Sequence, residues 1–460
     1  MRTVPLSIPG FLGDVLTPDD EAYATAKRIW NGMIDRRPAA IARCTAAADV
    51  AAAIRFGRDR GLPIAIRAGG HNVTGNALCD DGLVVDLTRM KGIDVSAESR
   101  RVSVEAGVTW GEFYHETQRH GLATTGGIVT DTGVAGLTLG GGIGWLMRRH
   151  GATCDNLLSA EVVTAGGELL RASETEHPDL FWALRGGGGN FGVVTSFDFQ
   201  LHALGPEVLA GSTLYDAAGA GGVLRAYRDV AARAPDEIAT IVGLRRVPPL
   251  PIFPGELHGR AVVAVNMCYL GAVDRAEQAL APLRALGPVL VDRVRPMPYE
   301  LLQSIFDSSV PWGFRYYWKT HYLPALDDAT IHVLIDHAWR LPSQWSYSLL
   351  FHLGGALSRV PADETAFNGR DVPFAINLNG VGVAPGEDAE IIEWTRSYFR
   401  SLEPHATGGA YLNFLGEEGT TDDRLRRAYR VDQLARLRAA KTAYDPDNVF
   451  RFNHNIPPAA

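Results

Sequence analysis

A short apolar strand, Pro63-Ile64-Ala65-Ile66, runs straight into Arg67-Ala68-Gly69-Gly70-His71-Asn72, and few folds can absorb such a junction. Isoleucines of this kind favour a buried strand. Two adjacent glycines then let the backbone approach a ligand and turn its N–H groups inward, as an anion-binding nest does. No helical pattern follows Asn72, so the segment is neither a P-loop nor the dinucleotide fingerprint that opens a helix. The plain alternative is a tight turn holding a hydrogen-bonded histidine. Two further glycine-rich stretches lie downstream, Leu139 to Trp145 and Leu184 to Thr195. The run from Thr124 to Gly144 is rich in glycine and threonine and almost free of charge. Such a run cannot fill a core, but it can wrap a flat ligand closely.

Between the second and third glycine stretches stands Gly151-Ala152-Thr153-Cys154-Asp155-Asn156. With these motifs in this order, the chain resembles the FAD-linked oxidases of the vanillyl-alcohol oxidase superfamily, in the berberine-bridge-enzyme-like branch. The resemblance implies an α+β, two-domain fold. Residues 1–205 and 405–460 would form a discontinuous flavin domain, and residues 206–404 a substrate-binding domain with an antiparallel sheet. It implies FAD as the cofactor, joined to the ring's 8α-methyl through His71 and to ring carbon 6 through Cys154. The expected flavin contacts are Arg67, Ala68, Gly69, Gly70 and Asn72 in the first loop, and Gly136, Gly140, Gly141, Gly142 and Gly144 in the second. Gly192 and Val194 in the third and Asn453 near the chain end complete them. Val134 falls where relatives carry a small residue that admits dioxygen.

The length of 460 residues exceeds what one ordinary core holds, which independently favours two domains. A net charge of -8 gives no basic footprint, so neither nucleic acid nor an anionic membrane is an expected partner. Met1 to Gly10 has no apolar core suited to a signal peptide, and no stretch approaches a membrane span. The expectation is a cytoplasmic enzyme, monomer or homodimer, acting on a small molecule with dioxygen. Cys44, Cys79, Cys154 and Cys268 lack CxxC spacing, which argues against a zinc site or a disulfide framework.

Periodicity predicts helices over Asp19 to Trp30, Thr45 to Arg60, Thr109 to His120, Val273 to Leu286 and Leu434 to Ala443. Strands are predicted at Val193 to Leu201, Ala261 to Leu270 and Ser346 to Leu353, with a hairpin from Leu158 to Arg171. A boundary falls around Leu204-Gly205-Pro206, after which the texture becomes α+β without glycine loops.

An oxidase of this kind holds a substrate C–H, on an alcohol, hemiacetal or phenol-related carbon, over flavin N5 and removes the adjacent proton. The flavin is then reoxidised by dioxygen to give hydrogen peroxide. Relatives place a tyrosine base after Tyr-x-Asn, but here that position is Phe414, which takes no proton. Candidates for proton transfer or substrate contact are Tyr317 and Lys319 in the aromatic run Phe314 to Tyr322, His352, Tyr411, and the alternating pair Asn377 and Asn379. Two other readings remain open, a dehydrogenase using another acceptor and a tailoring or binding flavoprotein that has lost the usual base.

Overall fold

A computed structural model describes residues 7–416 and 418–459. The first six residues of the stretch read for a leader lie outside the described residues. Three larger sheets with their covering helices, and a two-stranded pair of Leu122–Ala123 with His202–Ala203, account for the fold of the described residues. In the first, strands Asp14–Leu16, Ala40–Arg43, Leu83–Asp86 and Ile64–Arg67 lie side by side in that order, the last three parallel. Parallel strands need a crossover, supplied here by the helix Ala47–Asp59, which buries Val50, Ala53, Ile54 and Phe56. Its N-cap is Ala46 rather than Thr45, whose hydroxyl donates to Asp49 Oδ2 at 2.7 Å. The helix expected over Asp19 to Trp30 is reduced to Tyr23–Ala26. Tertiary contacts override the local pattern: the Tyr23 hydroxyl donates to the Pro38 carbonyl, and the Trp30 N–H to that of Gly70.

The second sheet is antiparallel and five-stranded, in the order Ile93–Ser96, Arg101–Glu105, Val193–Gln200, Leu157–Val163, Leu169–Ser173. Its last two strands form the expected hairpin. The helix Trp110–Gln118 beside it opens with a capping box made by Thr109 and Glu112. Within the glycine- and threonine-rich run Thr124 to Gly144 stands a six-residue helix, Val134–Leu139.

The third sheet is antiparallel and eight-stranded. Its main order is Val289–Asp292, Glu207–Asp216, Ala261–Tyr269, Ile238–Arg246, Tyr347–His352, Phe374–Gly382, Arg315–Leu323, and Arg295–Pro298 also pairs with Glu207–Asp216. All its strands lie between residues 207 and 382. The helix expected over Val273 to Leu286 shrinks to Ala276–Leu280 between two 3-10 turns, the second holding Pro282, which lacks the N–H a longer helix needs.

One face of this sheet is covered by helices Ala220–Ala231, Asp328–Ala338 and Asp388–Leu402. Val223, Leu224, Tyr227 and Ala231 recur at helical spacing and pack with Val242, Leu244, Val263 and Val265. Each buried aliphatic side chain there contributes roughly 1.5–3 kcal/mol. The opposite face joins the core of the glycine-rich half. This two-sidedness decides which strand residues can reach a ligand.

The chain returns through helix Val431–Tyr444. Lys441 and Asp445 form a fully buried ion pair, Nζ to Oδ2 2.6 Å. The same ammonium donates to the carbonyls of Asn190 and Phe450, each at 2.8 Å, and the carboxylate accepts from the N–H groups of Val449 and Phe450. The third glycine stretch is thus tied to the chain end.

Candidate functional site

A cavity of about 1870 Å³, its open mouth included, separates the glycine stretches from the bare face of the eight-stranded sheet. Ala68, Gly69, Gly70, His71 and Asn72 line one wall, with Gly136, Gly140, Gly192, Val194 and Asn453. The first two glycine segments meet backbone to backbone: a Cβ on Gly69 would fall 2.4 Å from the Gly133 nitrogen. Gly70 has φ +65°, a conformation that glycine adopts without strain. At Gly136 an added Cβ would meet no protein atom within 4 Å.

His71 Nε2 lies 3.1 Å from Asp131 Oδ1. Burial pushes the Asp131 carboxyl up, but the His71 imidazole and the indole N–H of Trp312 outweigh it and hold the group below its usual value. The imidazole stacks on Trp30, centroids 4.4 Å apart, and Trp30 stacks in turn on Tyr316 at 3.6 Å. His71 is therefore fixed in orientation at the cavity wall.

The sheet wall is ordered by strand register. Arg245 pairs with Tyr347, Tyr347 with Asn379, and Asn379 with Trp318, so four side chains form one row across four strands. Beside it runs a second row, Gly243, Leu349 and Asn377. Every side chain of the two rows lines the cavity. Cross-strand neighbours sit about 4.5–5.5 Å apart at Cβ, so each row presents a continuous strip. Burial pushes the Tyr347 phenol up to about 12, with the Arg245 guanidinium pulling the other way. Tyr411 also lines the cavity, but its hydroxyl accepts from the Gly142 N–H at 3.0 Å and the Asn413 amide at 2.8 Å, and burial raises its phenol above the ordinary value against the pull of those two donors.

The structure corrects several expectations, four of them for one reason, the period of two along a strand. Tyr317 and Lys319 face the helical layer: Lys319 pairs with Glu418 at 2.5 Å and lies 5.0 Å from the Phe399 ring centroid, and the Tyr317 hydroxyl donates to Glu418. Trp318 between them faces the cavity. His352 also points outward, stacking on Phe374 and sitting 3.1 Å from Arg148 Nη1; burial takes its imidazole down to about 3. Arg67 turns from the cavity, which Ile66 lines, toward the Ala26 carbonyl and Asp86.

Val134 is fully buried at the start of its helix, and Thr132, Gly133 and Ala135 line the cavity around it. Gly141, Gly142 and Gly144 lie behind the lining, where a Cβ would strike Phe367, Thr153 and the Gly126 carbonyl respectively. They allow close packing of the loop rather than contact with a ligand.

Cys154 is the largest correction. It is wholly buried in the 3-10 turn Thr153–Asn156, whose N–H groups donate to the carbonyls of Gly141 and Gly142, and it does not line the cavity. Burial and then Asp155, itself held by Arg370 at 2.6 Å, raise its thiol well above the ordinary value. None of the chain's four cysteines lines the cavity.

Sequence reasoning missed Asn190 and His454, which line the glycine-loop end, and Arg245, Ser309 and Tyr347 at the sheet end. Arg245 did leave a signal, as a charge closing the otherwise apolar run Ile238 to Leu244. Among the described residues no carboxylate lines the cavity. The glycine cradle, the open face at Gly136 and an oriented imidazole suit an extended dinucleotide with a flat ring. FAD fits this wall.

Residues 38–173 match the FAD binding domain family, and residues 410–457 the berberine and berberine-like family. The chain is 32% identical to (R)-6-hydroxynicotine oxidase of Paenarthrobacter nicotinovorans, over 99% of its own length and 98% of the relative's. It is 31% identical to an FAD-linked oxidoreductase of Dictyostelium discoideum, over 97% and 95%. The crystal structure of 6-hydroxy-D-nicotine oxidase from Arthrobacter nicotinovorans superposes with a TM-score of 0.88 at 31% identity, covering 99% of this chain and all of that one. Xylooligosaccharide oxidase from Myceliophthora thermophila shares the fold, with a TM-score of 0.84 at 24% identity over 97% and 98%. With its α+β fold, its glycine-walled cavity and relatives matched end to end, the chain belongs to the berberine-bridge-enzyme-like FAD-linked oxidoreductases.

Proposed function

We propose that the protein is an FAD-dependent oxidase whose flavin is joined through His71 alone, acting on a small molecule that carries a hydroxyl or amine beside the oxidised carbon. The observation that carries this reading is the cavity itself, with an oriented imidazole and glycine loops on one wall and a row of polar side chains on the other. FAD, when bound, supplies the hydride acceptor and hands the electron pair to dioxygen, giving hydrogen peroxide.

The chain's own share is orientation and the proton. Asn377 and Asn379 offer amides to a substrate oxygen or nitrogen, while Leu349, Phe351 and Phe414 exclude water around it. The Tyr347 hydroxyl makes no hydrogen bond among the described residues, so it is free to meet the substrate's O–H or N–H. It is the phenol that takes the place expected after Tyr-x-Asn. Because burial holds it near 12, only a small fraction is deprotonated at neutral pH, and that fraction grows as pH rises.

Two measurements test this. Purified protein incubated with FAD is expected to be yellow, to bleach anaerobically with a substrate from a panel of 6-hydroxynicotine, benzyl alcohol and reducing sugars, and to take up oxygen with matching peroxide. Bleaching without oxygen uptake would make it a dehydrogenase, and a protein that never becomes yellow would end the reading. With an alcohol substrate, flavin reduction should accelerate roughly tenfold per pH unit between pH 8 and 10, and Tyr347→Phe should slow it about a hundredfold and flatten the slope. A Tyr347→Phe variant with an unchanged profile would remove Tyr347 from proton transfer.

A further inference from the structure

The cation in the sheet row has no counter-ion. Arg245 Nε donates to the Arg246 carbonyl at 3.2 Å, and Nη1 reaches the Ser309 hydroxyl at 3.4 Å. Its guanidinium carbon lies 5.2 Å from the centre of the Tyr347 ring. Nη2 is buried with no hydrogen-bond partner, and no carboxylate of the described residues pairs with the group. The residue is half-buried in the cavity wall, and a charge in such a place is unfavourable until solvent or a ligand in the cavity completes its pairing. Burial already lowers the Arg245 pKa, without approaching neutrality for a guanidinium.

The rest of the row points to the same kind of ligand. Next to Arg245 come the Tyr347 hydroxyl, the Asn379 amide and the Trp318 indole N–H, which is buried and unpartnered. Guanidinium and indole only donate, while the phenol and the amide can donate as well as accept, the Asn379 amide already giving one hydrogen to the Asn377 carbonyl at 3.0 Å. A strip of donors with a fixed positive charge at one end is complementary to a molecule rich in acceptors that carries a negative charge at the matching end. Planar guanidinium favours a carboxylate, which it can meet through two parallel hydrogen bonds. Leu349, Phe351 and Phe414 supply the apolar sides that an aromatic or alkyl body requires.

We propose that Arg245 is a specificity residue that recognises the carboxylate of the substrate, so that the oxidised molecule is a small organic acid, with its body over the Leu349 and Asn377 row. This rests on the assignment of the sheet wall as the substrate side of a flavin cavity. The pairing is electrostatic and needs no redox step of its own.

Titration of the FAD-loaded protein with benzoate, benzamide and benzyl alcohol tests it, read by calorimetry and by the change in flavin absorbance. Benzoate should bind on the order of ten- to a hundredfold more tightly than benzamide, Arg245→Met should abolish that preference, and Arg245→Lys should keep part of it. Equal affinities for the three compounds would overturn the proposal. So would a benzoate preference unchanged in Arg245→Met, or a shifted flavin midpoint potential with benzoate binding intact, which would assign the guanidinium to the cofactor. If Arg245→Met fails to fold, Arg245→Lys still decides, since a lysine that binds benzoate and benzamide as wild type does excludes bidentate recognition. The calorimetric preference does not depend on colour, so a protein that binds no FAD fails the flavin reading separately.

Discussion

Alanine at His71 is expected to turn a protein whose acid-precipitated pellet stays yellow into one whose pellet is white, while alanine at Cys154 leaves the pellet yellow. The asymmetry follows from where the two side chains sit. His71 stands in the cavity wall, held by Trp30 on its face and Asp131 at Nε2, so its ring is directed before any flavin arrives. Cys154 is sealed beneath the loop it supports, with burial holding its sulfur protonated, and a thiol rather than a thiolate is a poor nucleophile. Spectra of the washed, redissolved pellets of wild type and both single variants check this. A yellow His71→Ala pellet would place the attachment elsewhere. A white Cys154→Ala pellet from a folded yellow protein would restore the cysteine to the chemistry.

Removing either member of the Lys441–Asp445 pair should destabilise the protein by about 3–5 kcal/mol, because the partner is left charged and dry. Lys441→Met has a second consequence that an ordinary core variant lacks. The ammonium holds the Asn190 carbonyl, and Asn190 lines the cavity at the third glycine stretch. The variant is therefore expected to loosen its grip on the tethered flavin, seen as a rise in flavin fluorescence, at lower urea concentrations than those that unfold its sheets. Flavin fluorescence and circular dichroism recorded through the same titration would separate the two events. Coincident transitions in Lys441→Met, at the wild-type midpoint, would show that the pair neither stabilises the fold nor anchors the loop.

The glycine stretches, His71 and the alternation of Asn377 and Asn379 were legible in the sequence because they are local: glycine reports a backbone that must come close, and period two separates faces. The identity of each face was not legible. The strand Arg315–Leu323 carries aromatic or titratable groups on both sides, so only the position of helix Asp388–Leu402 reveals that Tyr317 and Lys319 are covered and Trp318 is not. His352 is turned away likewise, against Arg148 and the Phe374 ring. Cys154 was placed by its motif, and a motif says nothing about which side of a loop its sulfur occupies. Arg245 and Tyr347 escaped because their significance lies in pairing across strands about a hundred residues apart in sequence.

The segment around Trp30 has a consequence for building hybrids of such enzymes. Trp30 stacks between His71 and Tyr316, and its indole donates to the Val310 carbonyl at 3.0 Å. Asn31 Nδ2 donates to the carbonyls of Val73 and Tyr316, and its Oδ1 accepts from the Tyr316 N–H. Gly32 donates to the Phe314 carbonyl at 2.7 Å. Three residues near the chain's beginning thus behave as an extra edge of a sheet that starts at Glu207. A chimaera cut just before Glu207, exchanging one relative's eight-stranded sheet for another's, would sever these bonds without touching a single junction residue. The natural module for transplantation is discontinuous, and Trp30-Asn31-Gly32 travels with it.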